Sequence, residues 1–167
     1  MYLYLKPNLH QTKVTAFFTN PKQKASFPCF QAMKLYKPIT LRKAEIERMY
    51  ANLGGQYSLW ERLKIGGIGS PMIYYTAGNE AIDKLQALAS DEVRINIELL
   101  KEGILLRIAE RTNAYFIPIH RSEIKDLRLY KDAQRTLFTL ETPNNSLQFW
   151  GALDSYVEWE RFLGKIG

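Results

Sequence analysis

The side chains able to make or break bonds are few and scattered. Histidine occurs at His10 and His120 and cysteine at Cys29 alone. One histidine lies in an irregular stretch and the other ends a candidate strand, so with Cys29 they form no spaced metal-ligand set. There is no Gly-x-Ser-x-Gly elbow and no His-Glu-x-x-His. Neighbouring acids such as Asp91-Glu92 and Glu158/Glu160 read as solvated charges, because a general-acid pair needs one shielded carboxylate. His120, beside Arg121 and Glu123, reads as an edge histidine with a polar partner, or as one residue of a pocket mouth. Gly66-Gly67-Ile68-Gly69-Ser70 resembles a phosphate loop in composition only. It follows a helix pattern, lacks a following Lys-Ser/Thr and runs into Pro71, so it reads as a flexible linker. No metal, no cofactor and no catalytic residue is expected, which points to a binding module instead of an enzyme.

Charge is the stronger signal. The net charge is +6, but residues 1–70 hold 11 Lys/Arg against 3 acids, a balance of +8, whereas residues 71–167 hold 12 against 14, a balance of −2. The first acid is Glu45, preceded by Lys6, Lys13, Lys22, Lys24, Lys34, Lys37, Arg42 and Lys43. A basic first half suits an anionic partner: a membrane surface, a nucleic acid or an acidic protein. The bland alternative is a solubilising lysine-rich surface. No apolar run approaches the roughly 20 residues of a membrane-spanning helix, and the start of the chain is too short and wrongly flanked for a secretory signal. A single cysteine forms no intrachain disulfide, so a reducing cytoplasm is the default. Cys29, between Pro28 and Phe30, reads as a small buried apolar residue, with lipidation as the alternative.

The elements that must position these charges can be read in order. Tyr2–Leu5 and Val14–Phe18 have the composition of short strands. Residues 40–67 form a helical hairpin. Thr40 is a candidate N-cap of a helix to Leu53, with Ile46, Met49, Tyr50 and Leu53 on one face and Glu45 able to pair with Arg48. Ser58-Leu59-Trp60-Glu61 is a capping box opening a short helix to Ile65. Its outline resembles a helix-turn-helix, but the second helix offers only Arg62 and Lys64 to a groove, with Leu59, Trp60 and Leu63 reading as packing residues. Residues 71–76 are a strand, and Asn79 caps a helix to Ala89 with Ile82 and Leu85 inward.

From Glu92 the period changes to 2. Val93, Ile95, Ile97 and Leu99 face one way and Arg94, Asn96 and Glu98 the other, as in a half-exposed antiparallel strand. Strands follow at 103–109, 114–120, 124–130, 135–141 and 146–150. Pro118 cannot donate to a ladder, so its strand is an edge or bulged. Ile124, Leu127 and Leu129 break alternation, which suggests a bulge near Lys125-Asp126. Phe138 and Leu140 oppose Leu137 and Thr139, so that strand is a candidate for cover on both faces. The period then becomes 3.6: Ala152, Tyr156, Trp159, Phe162, Leu163 and Ile166 form the wide apolar stripe of a helix that must close a hydrophobic opening.

Consecutive antiparallel strands closed by one amphipathic helix resemble the pleckstrin-homology (PH) superfold. The stretch from Ala114 through Phe116, Ile119 and Ile124-Lys125-Asp126 to Leu129 is similar to the central segment of bacterial PH-like and GRAM-type domains. Thr139–Thr142 with Leu147–Trp150 fits the later hairpin. The resemblance covers residues 71–167 at most and implies binding of phosphoinositides, other membrane lipids, peptides or proteins. It implies a ligand motif in the first hairpin, a loop Lys followed by a basic residue, one intervening position and an Arg. Lys101 and Arg107 fit, Ala109 stands where the Arg belongs, and Arg111 is the nearest substitute.

The expectation is therefore an α+β chain: a basic N-terminal extension, residues 1–70, and a PH-like, partly open antiparallel barrel capped by a C-terminal helix, residues 71–167. Candidate ligand-binding residues are Lys101, Arg107, Arg111 and Arg121. Candidate basic-surface residues are Lys22, Lys24, Lys34, Lys37, Arg42 and Lys43. The expected partner is an anionic membrane face, met peripherally from the cytoplasm, or a protein. A ligand-free scaffold domain, dimeric through exposed aromatics, is the alternative, and nucleic-acid binding by residues 1–70 is a more distant one.

Overall fold

The computed structural model describes residues 33–89 and 91–166. The candidate strands before Asn20, His10, Cys29, Lys22 and Lys24 lie outside the described residues. Helix α1 spans Lys43–Asn52 and α2 Leu59–Lys64. Strand β1 (Ile73–Ala77) leads into α3 (Glu80–Leu88). Then come β2 (Arg94–Leu100), β3 (Gly103–Glu110), β4 (Asn113–His120), β5 (Asp126–Lys131), β6 (Arg135–Glu141) and β7 (Ser146–Ala152). Helix α4, Tyr156–Leu163, closes the chain.

The strands form one seven-stranded sheet in the order β4-β3-β2-β1-β7-β6-β5, and each adjacent pair is antiparallel. The two ends of that order, β4 and β5, are not hydrogen-bonded to each other. The architecture is thus an α+β fold that suits a partly open barrel with a C-terminal helix. β4 is an edge strand, as Pro118 requires, since its missing N–H would break an interior ladder. Among the described residues, only a short bridge from Tyr36 meets that edge: Tyr36 and Phe116 exchange two backbone hydrogen bonds of 2.8 Å.

Inside the curl of the sheet lies an aromatic stack. Phe138 sits 5.6 Å from Phe149 and 5.0 Å from Trp159, centroid to centroid, and Phe162 meets Trp159 edge-on at 5.5 Å. Trp159, Phe162, Leu163 and Ile166 are buried, as the apolar stripe demands. Ala152 is a correction: it is exposed at the end of β7, because a 3-10 turn over Leu153–Ser155 intervenes before the helix. Ile82 of α3 is fully buried in the same core, under the Asn79 cap, whose side chain accepts from the Ala81 and Ile82 N–H groups.

Other expectations need correction. The first helix begins at Lys43, not Thr40. A 3-10 turn over Pro38–Thr40 precedes it, and the Thr40 hydroxyl donates to the Lys37 carbonyl at 2.8 Å instead of capping. Glu45 accepts from the Arg42 N–H at 2.7 Å, and the ion pair of α1 is Lys43–Glu47 at 3.7 Å. No bulge occurs near Lys125-Asp126. Ile124 follows a 3-10 turn, and the strand starts regularly after the Lys125 N–H bonds the Glu141 carbonyl at 2.8 Å. The register break lies between Tyr75 and Ala77, where β1 meets β7.

The glycine-rich run 66–70 is pinned to β2, not a flexible linker. Leu99 N–H donates to the Ile68 carbonyl at 2.7 Å, Ser70 N–H to the Ile97 carbonyl at 2.8 Å, and the Ser70 hydroxyl accepts from Ile97 N–H at 2.8 Å. The outer face of β2 and β3 is covered at one end, around Glu98 and Leu105, and open at the other, where Arg94 and Ala109 are exposed. Met49 of α1 and Leu53 at its C-terminal cap pack with Leu100 and Leu105 in a second small core, and this cover buries Glu98 to 6% exposure.

Candidate functional site

The buried Glu98 explains what Arg107 does. An ionised carboxylate under a helix must be paired and hydrogen-bonded, because low-polarity surroundings penalise an isolated charge heavily. Arg107 Nε donates to Glu98 Oε2 at 2.6 Å, its Nη2 contacts the same oxygen at 2.5 Å and reaches the Tyr50 hydroxyl at 2.9 Å, and its guanidinium lies 5.2 Å from the Phe116 ring centroid. Burial, then the Glu98 charge, push the Tyr50 hydroxyl above its ordinary pKa, and Arg107 opposes them. Arg107 therefore ties α1 to the sheet. Arg107→Ala leaves Glu98 without its charge partner and is expected to cost about 2 kcal/mol in a denaturant titration. If the variant loses anionic-ligand binding with no loss of stability, this assignment is wrong.

The other candidate ligand residues do not gather into one site. Lys101 sits in the β2–β3 turn, 3.4 Å from Glu61 of α2. Arg121 follows β4 at the same end, its N–H bonded to the Glu102 carbonyl at 2.8 Å and its guanidinium donating to the Ile166 carbonyl. Arg111 lies in the β3–β4 turn with φ 49°, at the other end of a strand about 25 Å long at the usual rise per residue. The hairpin assignment also shifts. Among the described residues Lys101 joins the second and third strands, because residues 73–77 form the first of them and connect to the second through α3. Of the described basic-surface residues, Lys34 lies over the Tyr36 ring at 5.2 Å, Lys37 over Tyr115 at 5.8 Å, and Arg42 and Lys43 are exposed at the start of α1.

A groove of about 380 Å³ runs between α1, the end of β4 and the β6–β7 turn, with Met49, Leu53, Pro118, His120, Glu123 and Asn145 among its walls. Lys34 and Arg48 face it alongside Glu45 and Glu123, so its charge is mixed. His120 is held locally: its Nδ1 is 2.8 Å from Ser122 Oγ and its Nε2 3.7 Å from Glu102. Among the described residues no three of His, Cys, Asp and Glu are grouped to hold a metal, and no helix is long and apolar enough to cross a membrane.

The feature that sequence reasoning misread is α2. Its capping box forms as expected: Ser58 N–H donates to Glu61 Oε2 at 2.6 Å and Glu61 N–H to Ser58 Oγ at 3.3 Å. These bonds hold the Glu61 carboxyl below its ordinary pKa, with Lys101 adding to the effect. Leu59, Trp60 and Leu63 do not pack inward, however. They are 69%, 74% and 63% exposed. The polar side chains anchor the helix instead. Arg62 Nε donates to the Tyr57 carbonyl at 2.8 Å, Glu61 pairs with Lys101, and Lys165 Nζ donates to the Gly66 and Gly67 carbonyls at 3.1 Å each. Apolar periodicity over six residues identifies a face without saying which way it points. The useful signal was the charge at Glu61, which has a partner on the body in Lys101. The chain matches no family model, no curated protein and no solved structure in the comparisons made with it.

Proposed function

We propose that this chain is a non-catalytic binding module of PH-like architecture that docks peripherally on an anionic membrane surface. Two runs of consecutive antiparallel strands, β1–β4 and β5–β7, joined through β1 and β7 and closed by α4, support the PH-like reading, because they supply the strands and the single plugging helix on which that resemblance rests. One observation carries the choice of partner: the basic segment is fixed on the sheet. Residues 33–70 contain Lys34, Lys37, Arg42, Lys43, Arg48, Arg62 and Lys64 against Glu45, Glu47 and Glu61. Leu53, Ile68 and Ser70 hold that segment to β2 and β3. A rigidly presented excess of cations gains from a negative lipid surface at no further cost of ordering, with each Lys or Arg near the surface contributing about 1 kcal/mol. The barrel cations Lys101 and Arg107 are engaged with Glu61 and Glu98, which favours general attraction to a charged surface over capture of one headgroup. Co-sedimentation with vesicles tests this. Pelleting with phosphatidylserine-containing vesicles and not with pure phosphatidylcholine supports the reading. No pelleting with either at low salt refutes it.

A further inference from the structure

We propose that α2 is a membrane-insertion element, which places its Leu59–Trp60–Leu63 face in the interfacial layer of an anionic bilayer. The proposal rests on the docking reading above and adds the depth and the residues of contact.

The orientation of α2 is the starting point. In an ordinary surface helix the apolar stripe turns inward and the charges outward. Here Glu61, paired with Lys101, and Arg62, bonded to the Tyr57 carbonyl, are partly buried, while Leu59, Trp60, Leu63 and Lys64 face out. The segments on both sides are anchored. Tyr57 packs against the main core before the helix, and Ile68 and Ser70 are bonded to β2 after it. The apolar face is therefore held outward by its surroundings, with a capping box closing the helix on its own.

Size and charge select the occupant. Trp60 with two leucines presents on the order of 400 Å² of contiguous apolar surface, within the range of functional patches but well short of the ~800 Å² per partner of a stable dimer. A bilayer needs no such area, since insertion adds to electrostatic attraction instead of standing alone. One cation shares the exposed face: Lys64 follows Trp60 by one helical turn, while Lys101 and Lys165 hold the anchored side through Glu61 and the Gly66–Gly67 carbonyls. A tryptophan between leucines with a lysine one turn away is the composition that settles at the headgroup boundary, the ring shallow and the amine at the phosphates.

The test reads Trp60 directly. The difference in emission between the full chain and its Trp60→Phe variant isolates Trp60 from Trp150 and Trp159. On phosphatidylserine/phosphatidylcholine vesicles this difference spectrum is expected to shift to the blue and to be quenched by phosphatidylcholine carrying a nitroxide near the headgroup. The double variant L59S/L63S, at two exposed positions, is expected to keep the unfolding midpoint of the parent. It should still bind at low salt, yet its partition coefficient at high salt should fall by about thirtyfold, as expected for two lost leucine side chains. If the bound protein leaves Trp60 open to aqueous iodide, insertion is overturned while electrostatic docking stands. If nothing pellets with anionic vesicles at low salt, both fall. A solution mass near twice 19.4 kDa that L59S/L63S returns to the monomer value would assign the face to a second copy and overturn the proposal.

Discussion

Replacing Trp159 by alanine lowers the unfolding free energy by about 4 kcal/mol, the middle of the range for a large buried aromatic. For a chain of this size that corresponds to a thermal midpoint lower by roughly 10 °C. The indole is fully buried, stacked on Phe138 at 5.0 Å and crossed by Phe162 at 5.5 Å, so its loss opens the contact between α4 and the sheet. The side chain also carries a liability. Its Nε1 is buried with no hydrogen-bond partner among the described residues. Trp159→Phe removes that unpaired donor while keeping a ring in the stack, so the lost area is partly offset, and we expect a loss of about 1 kcal/mol. Thermal unfolding of the two variants side by side checks the account. Equal losses would mean that the N–H is satisfied, and a negligible loss for alanine would mean that α4 does not plug the core.

Gly78→Ala adds one methyl group and is expected to be at least as damaging, about 4 kcal/mol or failure to fold. Gly78 has φ +112° at the end of β1, and a β-carbon there would lie 1.9 Å from the Ser146 carbonyl oxygen and 2.6 Å from its carbon. Both are backbone atoms of β7, so no rotamer change relieves the clash, and the β1–β7 pairing must open. Gly55→Ala is the control. Its φ is +81°, but nothing lies within 4 Å of the added carbon, so only the left-handed backbone penalty of about 1 kcal/mol applies. Urea titration of the pair separates contact from conformation. Equal losses would place the β1–β7 junction differently from the structure described.

The strands, the Ser58–Glu61 capping box, the Asn79 cap and the closing helix were legible in the sequence because each is written locally. Alternation of period 2, an oxygen at N-cap and spacing by three and four are properties of a few neighbouring residues. What was not legible depended on who covers whom. Arg94, Asn96 and Glu98 share a face in any register, but only the arrival of Met49 and Leu53 from α1 and its C-terminal cap decides that this face is covered at Glu98, and so makes Arg107 a structural partner of Glu98. Leu59, Trp60 and Leu63 read as packing residues for the same reason. Their spacing marks a stripe, while the bonds that turn it outward come from Lys101 and Lys165, at the far side of the chain. The strand at residues 71–76 is legible by composition, but its place between β2 and β7 at the centre of the sheet is set by pairings distant in sequence.

The central claim is that a basic, rigidly held surface meets an anionic membrane. The most direct measurement is the partition coefficient of the full chain on phosphatidylserine-containing vesicles, followed from about 0.1 M to about 1 M salt, over which the screening length falls from ~10 Å to ~3 Å. The account predicts strong binding at the low end and a steep decline with added salt that levels off above zero, the residue set by Leu59, Trp60 and Leu63. Binding that ignores salt, or that is equal on neutral vesicles, would contradict it.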